Sequence, residues 1–552
     1  MSEIFAANYG VTPGLDVDMS DQLQDLLDFA SQHGHVVILE PGVYNLSSDI
    51  ILSGNVMIEA SSEGSVVLKS IDGSQVNLRT NGWDGEVLSE GYIKGIIFDG
   101  VGVCLSGRVD SFELSSNAFI NYSVTEENHT QLMLANGSFF IQGNVFLGSD
   151  DVTGNGMQLR AIGTYATEET ILSENFIGGG SLTHVPDALH AQNIYQDLMV
   201  YYPGSLDAHT DSFMTGIGGS HDQNLTVERN FIYGDDEVNY RRDHAIYFHN
   251  FEGLLFLENT VDGWPDDASG GAKFRNGSDL RVLNNTFTNC PVLTYSYTDF
   301  NVGMSSVSIE GNVISSSFYP ILYWENGTGT SLMGLYILNN EIYNYGESSD
   351  IQIMPRVDSD DASDWAMGIL VAGNFTNNGQ PSTISYRSGV NVESVISDTM
   401  SFEELHSNLL PAEDASNLED AGPSSPSGVH AADSYPVSQI LPLLARFAIM
   451  RSTPREASGD SCREFTHQQL TDEYISGDNF QFSSFTQDSR DANIARIGYF
   501  LNLTLSQFRP EISNIDFQLE HSDDQGYSDE FISNEGSAAW LFGGEWLGDD
   551  WG

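Results

Sequence analysis

A chain of 552 residues with 40% apolar content can bury a sizeable core, which excludes disorder throughout and favours one long domain with a smaller one. Its 78 acidic residues face 20 basic ones, only three of them lysine (Lys69, Lys94 and Lys273), and the formal charge of −58 is spread along the whole chain, which argues against nucleic acid as a partner. Self-repulsion on that scale loosens a compact protein in dilute buffer, whereas a Debye length of about 3 Å near 1 M salt screens it, so molar salt is the expected solvent.

The first residues, MSEIFAANYGVTPG, show no basic n-region, no apolar h-region and no twin arginine, and no window approaches 18 consecutive apolar residues. Neither export nor membrane insertion is expected. Leu23, Leu26, Leu27 and Phe29 precede VVILEPGVYNLSSDIIL (36–52). Cys104, Cys290 and Cys462 are far apart and odd in number, so they read as core thiols rather than a disulfide framework or a zinc site.

From residue 114 onward the chain repeats. Asparagine recurs at Asn117, Asn144, Asn175, Asn230, Asn259, Asn285, Asn312, Asn340 and Asn374, mostly 26 to 31 residues apart, with one double step and one longer last step. Three residues earlier stand Leu114, Ile141, Leu172, Val227, Phe256, Val282, Ile309, Ile337 and Val371, all apolar. Five residues earlier the position is again apolar, except Thr170; two residues later it is apolar, except Thr376. This alternation describes half-buried strands broken by a turn at which the asparagine side chain can cap backbone groups. Coils of that kind stack at about 4.8 Å and bury one apolar column.

The ladder, in segments such as LTVERNFIYG (225–234) and LRVLNNTFTN (280–289), resembles the pectate-lyase-like right-handed β-helix superfamily over about residues 1–390, and the start agrees: that superfamily opens with a short capping helix and then strand, Pro-Gly, Tyr, as Leu23, Leu26, Leu27 and Phe29 ahead of residues 36–52 would supply. The resemblance implies an all-β fold: a single-stranded right-handed parallel β-helix of about ten coils with an N-terminal helical cap. Residues 1–70 would hold the cap and first strands, 71–392 the β-helix, 393–436 a linker rich in Pro, Ser, Ala and Asp, and 437–552 a small mixed C-terminal domain for attachment, oligomerisation or binding. In that last part SQILPLLARFAIMRS (438–452) and DANIARIGYFLNLTLSQF (491–508) can bury apolar faces.

Chemistry is expected on one outer face between about residues 184 and 300. An interruption at 178–213, rich in histidine and aromatics, precedes GDDEVNYRRDHAIYFHN (234–250) and then Trp264, Asp266, Asp267, Lys273 and Arg275. The order of His209-Thr210-Asp211, Asp235-Asp236, His244, His249 and Lys273-Phe274-Arg275 is similar to that of polygalacturonases. That likeness implies Asp211, Asp235 and Asp236 as general acid and water-activating groups and Lys273 or Arg275 as the holder of a sugar carboxylate, with His249 a further catalytic candidate. A lysine ahead of Asn285-Thr286-Phe287 also resembles β-helical polysaccharide lyases, which would make Lys273 the base that removes the proton α to a uronate carboxylate.

His209, Tyr201, Tyr202, Tyr240, Arg241, Arg242, His244, Trp264 and Arg275 are the substrate-binding candidates. Short polar residues also serve β-helix turns, and acidic pairs recur at Asp150-Asp151 and Asp360-Asp361, so the weight rests on the whole face. No metal site is assigned. Calcium or another cation at Asp235, Asp236 and Glu237 is chemically open, although the Asp-x-Asp-x-Asp-Gly loop is missing.

A glycan-type β-helix, salt adaptation and no export signal together point to a virion surface or tail protein of a halophilic virus. Its expected partners are a host surface glycan or glycoprotein, other virion proteins reached through the C-terminal domain, and further copies of itself. A free polysaccharide lyase or glycoside hydrolase in the extracellular medium, and a purely adhesive β-helix, are the alternatives.

Overall fold

The structure, a computed structural model, describes residues 2–397 apart from 15–16, 72–75, 82–86, 123–129, 149–158, 179–214, 235–243, 265, 267–270, 298–302, 327–332, 355–366 and 387–394. The chain forms a right-handed parallel β-helix in which every paired strand runs parallel to its neighbours. Three ladders run along the stack. The first joins Ile50–Leu52, Val76–Thr80, Val101–Leu105, Thr130–Ala135, Arg160–Tyr165 and Thr215–Ser220, continues through the opening halves of Ile246–Leu257 and Ala272–Leu283, and ends with Val292–Tyr297, Ile321–Asn326, Ile351–Met354 and Ile384–Tyr386. The second ladder follows it in each coil and ends at Val395–Ser397, while the third holds twelve strands from Gly42–Leu46 to Phe375–Thr376.

The nine asparagines stand at the corner between the second and third ladders and are at most 4% exposed. Each of the first eight donates its backbone N–H and its Nδ2 to the Oδ1 of the next asparagine, as in Asn259 to Asn285 at 2.8 and 3.1 Å. Its Nδ2 also reaches the carbonyl three positions before the preceding asparagine, as in Asn285 to Phe256 O at 2.9 Å. A backbone corner turned inward leaves polar groups where water cannot reach them, and the short amide brings two N–H donors and a separate carbonyl acceptor to them. The residue before each asparagine is left-handed in all nine coils, from Ser116 (φ 58°) through Glu258 (φ 54°) to Gly373 (φ 67°), which is what makes the corner sharp.

Positions five and three before each asparagine enter a single continuous core, and the +2 positions stack from coil to coil, with Phe98, Phe119 and Phe146 rings 4.7 Å apart. Thr170, the polar exception, is fully buried and accepts the Phe139 N–H through Oγ1 at 3.2 Å. At the N-terminal end the helix Ser20–His33 (α1) buries Leu23, Leu26, Leu27 and Ala30 in the same core against His35–Leu39, Ile50–Leu52 and Gly54–Ala60. Its first turn is held by Asp18, which accepts from Ser20 N at 3.0 Å, and it stops at Gly34 (φ 67°). These strands pair into the stack itself.

Cys290 is a buried core thiol, as expected; Cys104 is not, because it takes an outward position beside Met133 and stays partly exposed. Cys462, residues 398–436 of the expected linker and the C-terminal segment lie outside the described residues. No helix among the described residues is long and apolar enough to cross a membrane.

Candidate functional site

Strand alternation sorts the first ladder into core and outer columns. Ile246, Phe248, Ala272, Phe274, Val292 and Ile321 point into the core. The residues between them form two outer columns aligned coil by coil. One runs Gly163, Gly218, Tyr247, Lys273, Leu293, Leu322; the other runs Tyr165, Ser220, His249, Arg275, Tyr295, Trp324.

On this face cations rest on aromatic rings. Lys273 Nζ lies 4.8 Å from the Tyr295 ring centre and 5.5 Å from that of Tyr247. The Arg275 guanidinium sits 3.9 Å over the Tyr297 ring and donates from Nη1 to the Tyr247 hydroxyl at 3.3 Å. Such pairs hold a long side chain in one orientation at little entropic cost. Tyr295, Tyr297 and Trp324 pack against one another with centres 5.2 to 5.7 Å apart, continuing into an outer apolar cluster with Leu293, Leu322, Phe318 and Tyr319.

Two coils earlier, glycine clears the floor. A Cβ on Gly218 would lie 3.0 Å from Arg160 Nε and 3.2 Å from its Cζ, so a side chain there would press on the guanidinium that this glycine accommodates. Tyr165, His221 and His249 follow it ring against ring, at 5.5 and 6.1 Å.

His249 is 8% exposed, and burial, reinforced by His221, Arg275 and Arg160, pushes its pKa down to about 3. Burial also lowers His221. Both are neutral imidazoles near pH 7, suited to hydrogen bonding and stacking rather than to carrying charge. As a base at that pH His249 would be weak, which limits the catalytic role anticipated for it. Asp222 lies beneath the same coils, 1% exposed, and accepts from Thr164 Oγ1 at 2.7 Å and from Thr167 N and Oγ1 at 3.1 and 2.9 Å. Burial outweighs those bonds and raises its pKa to about 6.

Of the anticipated site residues, His249, Lys273 and Arg275 are brought together, and His244, 4% exposed, stacks on Tyr247 at 5.0 Å. Trp264 is a correction: it is 3% exposed and belongs to the interior core, so it offers no ring to a ligand. Periodicity did not place it there because it follows the strand Thr260–Asp262 in a corner that the asparagine register does not reach. Asp266 braces a turn further along the stack through Ser316 Oγ and Ser317 N and Oγ. Asp211, Asp235, Asp236, His209, Tyr201, Tyr202, Tyr240, Arg241 and Arg242 lie outside the described residues. So does the calcium candidate at Asp235, Asp236 and Glu237; among the described residues no group of three His, Cys, Asp or Glu could hold a metal ion.

Arg160, Tyr165, Tyr247, Tyr295, Tyr297 and Trp324 were not singled out from the sequence. The signal that could have found them is alignment of the first ladder, whose strands precede each asparagine by a variable distance.

No family model and no curated protein matches the chain. Solved structures do. A surface adhesin of Streptococcus pneumoniae, PfbA, is similar at 12% identity and a TM-score of 0.40, over 70% of this chain and 91% of that one. The Dettilon tailspike protein is similar at 11% identity and a TM-score of 0.38, over 71% and 70%. The A-module of the mannuronan C-5 epimerase AlgE6 of Azotobacter vinelandii is similar at 16% identity and a TM-score of 0.34, over 68% of this chain and all of that one.

Proposed function

We propose that the outer face of the first ladder binds an anionic surface glycan and that the protein is displayed on the particle of a virus infecting a halophilic host. The observation that carries the glycan reading is the stacking of Lys273 and Arg275 over Tyr247, Tyr295 and Tyr297 beside Trp324. In a chain with 20 basic and 78 acidic residues, two neighbouring cations on aromatic rings are an exception to the acidic surface. Tyr297 and Trp324, the half-buried rings of the group, can take the apolar face of a pyranose, whereas Tyr247 and Tyr295, 7 and 3% exposed, hold the cations in place; fixed cations take carboxylate or sulfate groups.

Binding of uronate-bearing polysaccharide to the full-length protein, measured in about 2 M salt where its surface charge is screened, tests this. Arg275→Ala and Trp324→Ala should each weaken it about tenfold, roughly 1.4 kcal/mol. Unchanged affinity in both would remove this face as the binding site. The acidic surface and a glycan-type β-helix support the halophilic virion reading, in which further copies and other virion proteins are the remaining partners. Labelling of purified particles checks it, and protein found only in the surrounding medium would favour a free extracellular form.

A cleaving version of the same reading draws on Lys273, which stands beside the two tyrosine rings where a base could meet a uronate. Unsaturated ends released by the native protein and not by Lys273→Ala would assign a lyase, reducing ends alone a hydrolase, and neither would leave recognition.

A further inference from the structure

Charge is placed unevenly along the first ladder. Neither of its two outer columns, Gly163 to Leu322 and Tyr165 to Trp324, holds an aspartate or a glutamate, in a chain with 78 acidic residues. The Arg160 side chain runs along the ladder from its own rung to the next. A Cβ on Gly163 would lie 3.6 Å from its Cδ, whereas one on Gly218 would lie 3.0 Å from Nε and 3.2 Å from Cζ, so the guanidinium sits over the rung of Gly218. One rung further stand Tyr247 and His249, and one further again Lys273 and Arg275.

The rung between these cations is uncharged. Burial, then His221, Arg275 and Arg160 push the His249 pKa down to about 3, so its imidazole is neutral near pH 7 with one guanidinium on either side. Beyond Arg275 the columns turn apolar, through Leu293 and Tyr295 to Leu322 and Trp324. Arg160, Lys273 and Arg275 each keep part of their surface exposed, so the order met along the stack is cation, neutral, cation, then apolar. Rungs repeat at about 4.8 Å, which puts the two cationic rungs about 10 Å apart. A pyranose linked through opposite ends of its ring advances a chain by close to one rung, so these cations meet the acid groups of the first and third sugars rather than of neighbours.

We propose that Arg160 is a second acid-binding position of this face, taking the carboxylate or sulfate two sugars away from the one held by Lys273 and Arg275, on a glycan that runs along the stack with an acidic group at least on every second sugar. A guanidinium offers two parallel N–H donors to one such group. The glycan reading of the same face is the premise; Arg160 adds a direction along the stack, a minimum length of three sugars and a spacing of charge. The acidic sugars lie toward Gly218 and the apolar ring faces toward Trp324.

The test measures affinities of the full-length protein in about 2 M salt for 1,4-linked oligouronates of two and three rings and for a three-ring oligosaccharide with a neutral middle sugar. Both three-ring ligands should bind about tenfold more tightly than the two-ring one. Arg160→Gln should remove that gain and leave two-ring binding unchanged, while Arg160→Lys keeps part of it. Gly218→Val, which crowds the guanidinium, should act like Arg160→Gln, and melting of each variant in the same salt shows that the β-helix is intact. Equal affinity for two and three rings, or an Arg160→Gln protein that keeps the gain while Arg275→Ala loses binding, overturns the second position and leaves the glycan reading standing. A gain that needs an acidic middle sugar, or two-ring binding weakened as much as three-ring binding by Arg160→Gln, overturns the spacing. No binding of any of the three overturns the glycan reading and the second position with it.

Discussion

The asparagine corner concentrates the stability of each coil in one side chain. Asn285 accepts from Asn259 N and Nδ2 and donates to Phe256 O and Asn312 Oδ1, all in the dry interior. Asn285→Ala strands backbone groups of two coils, and a loss of about 3 kcal/mol or more is expected in thermal unfolding. The residue ahead of Asn259, one coil earlier, shows the opposite sign: Glu258 is exposed and left-handed at φ 54°, so Glu258→Gly should relieve roughly 1 kcal/mol of backbone strain. A stabilised Asn285→Ala or a destabilised Glu258→Gly would contradict the geometry. The role of the asparagine was legible in the sequence because nine coils repeat it, but the partners were not. A cap on its own turn and a bond to the next coil leave the same pattern in one dimension.

Between elements, two buried groups under the glycan face titrate in opposite senses. The pKa of Asp222 is raised to about 6, so its protonated form stabilises the fold below about pH 4 and that stabilisation is lost as pH rises through 6. His249 is depressed to about 3, so its contribution is present above about pH 6.5 and is lost as pH falls toward 3. Asp222→Asn keeps the acceptor for Thr167 and should raise stability at pH 7 by on the order of 3 kcal/mol relative to pH 4. Stability curves of the two proteins that stay parallel from pH 4 to pH 7 would sink this assignment. The direction in which each titrates could not be read from the sequence, which singles out His249 and passes over Asp222, because both shifts come from burial. Arg160 and Trp324 were equally hidden, because insertions of different length separate the first-ladder strands and break their register in the sequence.

For the whole molecule, the charge of −58 sets the solvent and the fold sets the surface on which it lies. Melting temperature should rise steeply between about 0.1 M and about 2 M salt as the Debye length shrinks, and a flat profile would remove the salt-adapted reading. Composition, the 26-to-31-residue period and the alternation around each asparagine determined the parallel β-helix by themselves, because each coil repeats the same local problem of burying two apolar residues before an inward corner. Only the tertiary structure decided which outward residues meet. Register across coils brings Lys273 to Tyr295, Arg275 to Tyr297 and Arg160 to the floor at Gly218, and it withdraws Trp264 into the core. Those contacts join residues a coil or more apart, and the lengths of the insertions between them carry no information about which rungs will lie side by side.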